Sequence, residues 1–515
     1  MRSFLSLPVS LGLLLAVAIP GRLAAAPPAV PQGVAMVANS ADSITLEWSR
    51  PKGGDVKSYQ VFGSETKDGP FQRLATVTER TAVQRALKPG AEYFYKVTAS
   101  NAEEESEPSA VAAGFTITPT PGAPFPVKVA RNLCVSLGAD IVSTPAPVAG
   151  KLASLVDGSD GTSCRLRKAC EIKIRIADAA AIADAPYLLL NFRAPGGEAE
   201  WSNDPLARSF QKYVVIESAD STNGTDGTWR DVKSGTNELM DGVIVVPNTK
   251  PKWIGIRSAG GAEIPASDKR LMPGDLLLSR LDVFRAAPAG QRNDYWIFTG
   301  DSLVVQDMPA GGGAGRTAWF SDLVRQQHPD RYPIVVHAAR GGEMLKDTLP
   351  RMKSIMAALS PANGTKTPTA TVVCWETGFN DIGLSAGLWI GPKLVAGLTE
   401  AQDFCTAQGL FLVPVRIEFA NAYLDPATLE PAKDGIFHNT LAANLAGVDV
   451  FCRTRTPYAC DPQTQLPYAD YWTYTRKNQA AVLVKDGVHH TKVGQDGINR
   501  LWAGVADRMI YAREK

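Results

Sequence analysis

Five residues beyond position 300 have the types and surroundings that activated-nucleophile chemistry requires. Ser302 closes a Gly-Asp-Ser at 300–302, and Asn380 lies in "GFND" at 378–381. Asp486 stands three residues before His489 in "DGVH", and Gly342 belongs to "RGGE". A serine hydroxyl is a poor nucleophile until a base takes its proton, and imidazole titrates near neutrality. An aspartate three positions earlier in a turn can reach the other ring nitrogen and fix the tautomer. Charge growing on a carbonyl oxygen needs donors aimed at it, and the N–H groups of Ser302 and Gly342 with the Asn380 amide would supply three. Ser302, His489 and Asp486 are thus the candidate catalytic set. Ser302, Gly342 and Asn380 are the candidate oxyanion donors, with Gly341 an open alternative to Gly342.

Something must carry these residues to one place. From residue 292 the runs "YWIFTG", "YPIVVHAA", "TATVVCWET" and "LFLVPVRIE" are short, nearly continuous and apolar, each followed by a polar or helical stretch. Buried parallel strands with crossover helices have this pattern. An α/β domain over 292–515 follows, and ligands of such sheets gather at the carboxyl ends of the strands, where the polar motifs fall. A competing nucleophile, Ser385 in "GLSAG", matches G-x-S-x-G but has no strand directly before it. His337 and His438 have no comparable company, and "AGGGAG" at 310–315 lacks the Lys-Ser/Thr of a phosphate loop.

The four blocks, in this order, resemble those of the SGNH hydrolase (GDSL-like) family. The resemblance covers about residues 292–515 and implies a three-layer, flavodoxin-like α/β fold. It also implies ester hydrolysis through an acyl-serine, with no metal or cofactor. Two positions depart from the family pattern: Ala339 stands where another glycine is common, and His490 where proline is frequent.

The chain before residue 292 reads as two β-sandwiches. Over 28–118, "ADSITLEWSRP", "VKSYQVFGSE" and "AEYFYKVTASN" alternate with period two between Pro and Gly turns. Trp48, Tyr59 and Tyr93 after the Pro89-Gly90 turn make this segment resemble a fibronectin type III module. After the link "TPTPGAPFP", residues 125–287 resemble a galactose-binding-like jelly roll of the discoidin type through "LVDGSDGTSC", "QKYVVIESADSTNGTDGTWRDV" and "KWIGIRS". Residues 165–210 follow that pattern least. Trp201, Trp229 and Trp253 are the candidate sugar platform of this second sandwich.

Composition narrows the partners. With 53 Lys plus Arg against 52 Asp plus Glu, no basic excess is present to neutralise phosphates, so nucleic acid is not an expected partner. Residues 1–26 have the charge, apolar and small-residue order of a secretory signal, and no later run is long enough to span a bilayer. The expected location is therefore secreted or periplasmic. Seven cysteines in an exported chain, without CxxC or HExxH, favour disulfides over a metal site with one thiol left over, and the close spacings suggest Cys164 with Cys170 and Cys452 with Cys460, the connectivity staying open. Asn223 and Asn363 begin glycosylation sequons. The sequence thus leads to a secreted serine esterase acting on an acylated polysaccharide. Its alternatives are an O-acetyltransferase using the same site and a non-catalytic polymer-binding or adhesion protein.

Overall fold

The computed structural model describes residues 26–51, 55–118, 122–195, 209–237, 239, 241–259, 275–308, 315–359, 371–384, 391–417 and 436–514. The signal segment, Trp201, Asn363, Ser385, residues 310–314 of the glycine-rich run and the side chain of His438 lie outside the described residues. Among the described residues no helix is long and apolar enough to cross a membrane.

The chain holds several β-sheet domains followed by an α/β region. In the first domain, the antiparallel strands Gln32–Asn39, Ile44–Ser49 and Thr81–Gln84 form one sheet, and Gln72–Val77, Ser58–Ser64, Glu92–Ser100 and Ala112–Phe115 the other. Their alternating apolar residues meet between the sheets, where Trp48 packs edge-on to Tyr59 at 5.4 Å between ring centroids. Tyr93 Oη accepts the Lys88 N–H at 2.9 Å, which ties the Pro-Gly turn to the strand that follows it.

The second β region has a five-stranded antiparallel sheet, in the order Arg230–Thr236, Lys212–Ser218, Trp253–Ser258, Glu171–Arg175 and Ile141–Thr144. Against it lies a three-stranded sheet of Gly242–Pro247, Tyr187–Arg193 and Arg280–Arg285. The smaller sheet is buried on both faces. Leu188, Leu190, Phe192, Ile244 and Val283 fill the sandwich core, while Leu189, Val243, Val245 and Phe284 point the other way and join the core of the α/β region.

Four parallel strands build the α/β sheet: β1 (Tyr295–Thr299), β2 (Ile334–His337), β3 (Val372–Trp375) and β4 (Phe411–Pro414), in the order β2-β1-β3-β4. They are buried along nearly their whole length, which explains the uninterrupted apolar runs. The helices are α1 (Ser302–Asp307), α2 (Phe320–Gln327), α3 (Leu345–Leu359), α4 (Phe379–Leu384), α5 (Gly391–Gln408), α6 (Ile436–Arg455), α7 (Tyr471–Val482) and α8 (Lys492–Met509). Successive side chains of a strand leave opposite faces. Trp296, Phe298, Val335 and Val413 accordingly pack on α2 and α8, and Ile297, Val336, Val373 and Leu412 on α3, α5 and α6.

β2 is an edge strand, and the second β region covers its edge. Asn191 Nδ2 donates to Val335 O at 3.2 Å, and Asp241 Oδ2 accepts the His337 N–H at 3.0 Å. Backbone groups that would otherwise template pairing with another chain are thereby satisfied by side chains. Around them runs a buried ionic network. Arg193 binds Asp160, Asp241 (3.2 Å) and Met308 O (3.1 Å), while Arg280 binds Asp282 (2.6 Å) and Ser321 Oγ (3.3 Å). The first domain docks along α6, which lies against strand Gln32–Asn39, with Leu466 entering its core, Arg476 on Glu47 (2.6 Å) and Arg453 on Glu92 (2.8 Å).

The expected disulfides are corrected: all seven cysteines are free thiols. Cys164 and Cys170 serve as small apolar side chains of the sandwich core, and burial pushes the Cys170 thiol up to about 12. Cys452 and Cys460 lie together in the α/β core, where Cys452 Sγ accepts from Thr456 Oγ1 at 3.4 Å.

Candidate active site

The turn from β1 into α1 leaves no room for a side chain at residue 300. A β-carbon on Gly300 would stand 2.3 Å from the carbonyl oxygen of Glu376, so glycine lets the β1 and β3 loops approach. Asp301 caps α1 by accepting the Leu303 N–H at 3.1 Å, which places Ser302 as the helix's first residue. Its hydroxyl thus lies at the carboxyl end of the sheet.

Asp486 shapes its own turn before it touches the histidine ring. Its Oδ1 accepts the N–H groups of Val488 (2.8 Å) and His489 (3.0 Å), and Gly487 adopts φ +71°. Asp486 Oδ2 then meets His489 Nδ1 at 2.7 Å, and His489 Nε2 meets Ser302 Oγ at 2.9 Å. Burial acts to raise the Asp486 carboxyl, but the two backbone donors and the His489 ring outweigh it, so it lies below its usual range and stays ionised. An ionised carboxylate can only accept, so Nδ1 carries the proton and the Nε2 lone pair faces the serine hydroxyl. Burial lowers His489, outweighing the upward pull of Asp486, so the ring is neutral at pH 7. A neutral imidazole aimed at a hydroxyl can take its proton.

The candidate oxyanion donors come from three loops. Arg340 N–H donates to Gly300 O at 3.0 Å, holding the Gly341-Gly342 turn beside Ser302. Both glycines face open space, and Gly342 has φ +74°. Asn380 Nδ2, on α4, donates to Asp301 Oδ2 at 3.1 Å and to Glu343 O at 3.0 Å. Its two N–H groups are thus both engaged, and serving a developing oxyanion means exchanging one of these bonds for it.

Several carboxyls around this point were not singled out from the sequence, although they stand inside the same blocks: Asp301, Glu343, Glu376 and Asp381. Burial, reinforced by the charges of Glu343 and Asp381, pushes Asp301 up to about 7 against the opposing hydrogen bonds from the Leu303 N–H and Glu376. Glu343 is paired with Arg351, and Asp381 Oδ2 accepts the Leu345 N–H at 2.8 Å at the start of α3. Asp301, Glu343 and Asp381 each adjoin a glycine or asparagine of a block, the one signal they gave, and Glu376 stands two residues before Gly378.

Other sequence candidates lie elsewhere. His337 ends β2 with Nε2 3.0 Å from Val304 O, and burial drives it down to about 3, a neutral core side chain. Trp253 is buried in the second β region. Trp229 is half-buried, with the Lys173 ammonium 4.2 Å from its ring centroid and Nε1 donating to Asp226 O. Asn223 lies exposed in the loop between strands Lys212–Ser218 and Arg230–Thr236. Among the described residues no group of three or more His, Cys, Asp or Glu is placed to hold a metal ion.

A fibronectin type III domain model matches residues 29–114. Among solved structures, the chain is similar to an Fn3-like protein from Clostridium thermocellum, with 27% identity over 19% of this chain and 98% of that one, and a TM-score of 0.16. It is also similar to the fibronectin type III domain of human fibronectin type III domain containing protein 3, with 26% identity over 19% and 93%, and a TM-score of 0.17. With the twitchin kinase region from C. elegans it shares 20% identity over 18% of this chain, spanning 17% of that protein's length, with a TM-score of 0.17. Residues 29–114 are thus a fibronectin type III domain.

Proposed function

We propose that residues 292–515 are an SGNH-type hydrolase domain of flavodoxin-like order and that the protein is an exported serine esterase removing acyl groups, acetyl foremost, from a polysaccharide. One observation carries the reading: the chain from Ser302 Oγ to His489 Nε2 (2.9 Å) and from His489 Nδ1 to Asp486 Oδ2 (2.7 Å). The sheet order β2-β1-β3-β4, reversing at the strand that delivers Ser302, supports it.

The chemistry follows from the groups present. Ser302 Oγ attacks the ester carbonyl as its proton passes to His489 Nε2, and the imidazolium formed is stabilised by Asp486. Negative charge on the former carbonyl oxygen is met by the Ser302 N–H, the Gly341-Gly342 turn and Asn380. His489 returns its proton to the departing sugar oxygen, leaving an acyl-serine. A water molecule, deprotonated by His489, then attacks the acyl carbon and releases the carboxylic acid and free Ser302.

Acetate release from acetylated xylan, pectin, mannan and peptidoglycan tests the reading, with free acetate expected from at least one polymer. Transfer of the acetyl group to an added sugar instead of water would assign an O-acetyltransferase. No release or transfer with any polymer or with an activated ester would leave a binding protein.

The pH profile offers a separate check. With His489 held below the ordinary imidazole value near 6.5, kcat/KM is expected to stay level through neutrality and to fall only as pH drops through that lowered value, where the base becomes protonated. A limb centred above 7 would contradict His489 as the base.

A further inference from the structure

The turn that presents His489 runs from the surface into the interior. Asp486 has a side chain 40% exposed, whereas the side chains of His490 and Asp307 are both 0% exposed. His490 Nδ1 lies 2.9 Å and 3.1 Å from the two carboxylate oxygens of Asp307. Asp307 is the last residue of α1, the six-residue helix whose first residue is Ser302. Two rungs therefore join the same two pieces of chain: Ser302 to His489, and Asp307 to His490.

The far end of α1 is itself fixed. Asp307 O accepts Asn499 Nδ2 from α8 at 2.6 Å and Arg316 Nη2 at 3.0 Å. Beyond the turn, Gln495 Nε2 donates to His490 O at 3.3 Å, and Thr491 caps α8 by accepting the Gly494 N–H at 3.2 Å. A displaced residue 490 necessarily carries residue 489 with it, because one planar peptide joins them.

We propose that Asp307 and His490 are a positioning pair: their buried bond anchors the 486–490 turn to the helix bearing Ser302 and fixes the approach of His489 Nε2 to the serine hydroxyl. The inference rests on the reading of His489 as the base. A carboxylate sealed from water beside this ring also acts on its charge. Among the described residues, the charged and titratable groups acting on His489 include Asp486 in its own turn, Asp307 from α1 and His490. Those acting with Asp307 are Arg316, which binds Asp496 of α8, and Tyr474 of α7. Asp307 pulls the His489 pKa up and His490 pushes it down. The two members of the pair thus have opposite electrostatic effects on one ring.

The test uses the full chain labelled with 15N-histidine, whose five histidines are few enough to assign. Imidazole titrations are read by NMR beside kcat and KM on an activated acetyl ester. Asp307→Asn is expected to lower the His489 pKa and His490→Gln, which removes the ring, to raise it. Asp307→Asn and His490→Ala, which weaken or remove the anchoring bond, are each expected to lower kcat on the order of 10- to 100-fold with KM little changed, since a misplaced base costs rate rather than substrate binding, whereas His490→Gln, which keeps a side-chain N–H for Asp307, should retain most of kcat. Should Asp307→Asn not fold, lost kcat in His490→Ala with kcat kept in His490→Gln decides the question. Titration and kcat unchanged from wild type in the folded variants, or both displacements in the same direction, would overturn the pair. Opposite shifts in a protein that hydrolyses no ester would instead sink the proposed function and leave the pair standing.

Discussion

Ser302→Ala is expected to lower kcat for an activated acetyl ester by roughly 10³- to 10⁶-fold, the range seen when a serine nucleophile is removed and only the surrounding donors remain. The hydroxyl supplies the attacking atom, so no neighbour can replace it. Its loss costs the fold little, because the side chain gives up one bond to His489, worth about 1 kcal/mol. A normal thermal melt with absent activity is the expected pair of results. Ser385→Ala is the matched control and should leave kcat nearly intact. Inactivity of the Ser385 variant with retained activity of Ser302→Ala would overturn both the nucleophile and the sheet that delivers it.

The second large effect is on folding. Residues 288–515 expressed alone are expected to give insoluble protein or no cooperative melt. The excised second β region covers the α/β core with Leu189, Val243, Val245 and Phe284, all buried. At about 1.5 to 3 kcal/mol for each large apolar side chain, their loss removes roughly 6 to 12 kcal/mol, comparable with the whole stability of a domain. The edge of β2 would lose Asn191 and Asp241, leaving it open to pairing with another chain. Removing only the fibronectin type III domain is a milder change. A chain of residues 122–515 should melt cooperatively, at a lower temperature because Leu466 and the face of α6 along strand Gln32–Asn39 lose their cover, and keep kcat/KM on a small ester, since the ion pairs of Glu47 and Glu92 do not reach the α/β sheet. Cooperative melting of 288–515 with full activity would show that the second β region is an appendage after all.

The contrast between these two predictions follows what the residues revealed in sequence. Strands β1 to β4 were legible because parallel strands covered on both faces are unbroken apolar runs. The strand Tyr187–Arg193 was not, for the same physical reason in a different place. "YLLLNFR" is buried on both faces within an antiparallel sandwich, where alternation is the expected sign. Asn191, Arg193, Asp241 and Arg280 read as ordinary polar positions, since nothing in local spacing reveals that a charge is sealed against another domain. Cysteine spacing misled because proximity in sequence does not distinguish a core thiol from a bonded one.

The site shows the same division. The contacts of Ser302, His489 and Asp486 were expected from sequence because they depend on short local geometry, a strand end and a three-residue turn. The resting partners of Asn380 were not, because they come from Asp301 and from the carbonyl of Glu343 on separate loops. Asp307 drew no notice although it follows Ser302 by five positions, and His490, which adjoins His489, stood out only as a departure from the family pattern. Their pairing is a tertiary fact, formed only when α1 and the 486–490 turn are brought together.

Covalent trapping addresses the nucleophile most directly. The full chain is incubated with a fluorophosphonate, a reagent whose phosphorus is attacked by base-activated serines, then digested and mapped by mass spectrometry. The account predicts a single stoichiometric adduct on Ser302, lost in His489→Ala and slowed at pH values below the His489 pKa. Absence of any adduct from a folded protein, or an adduct on Ser385 with Ser302 unmodified, would contradict it.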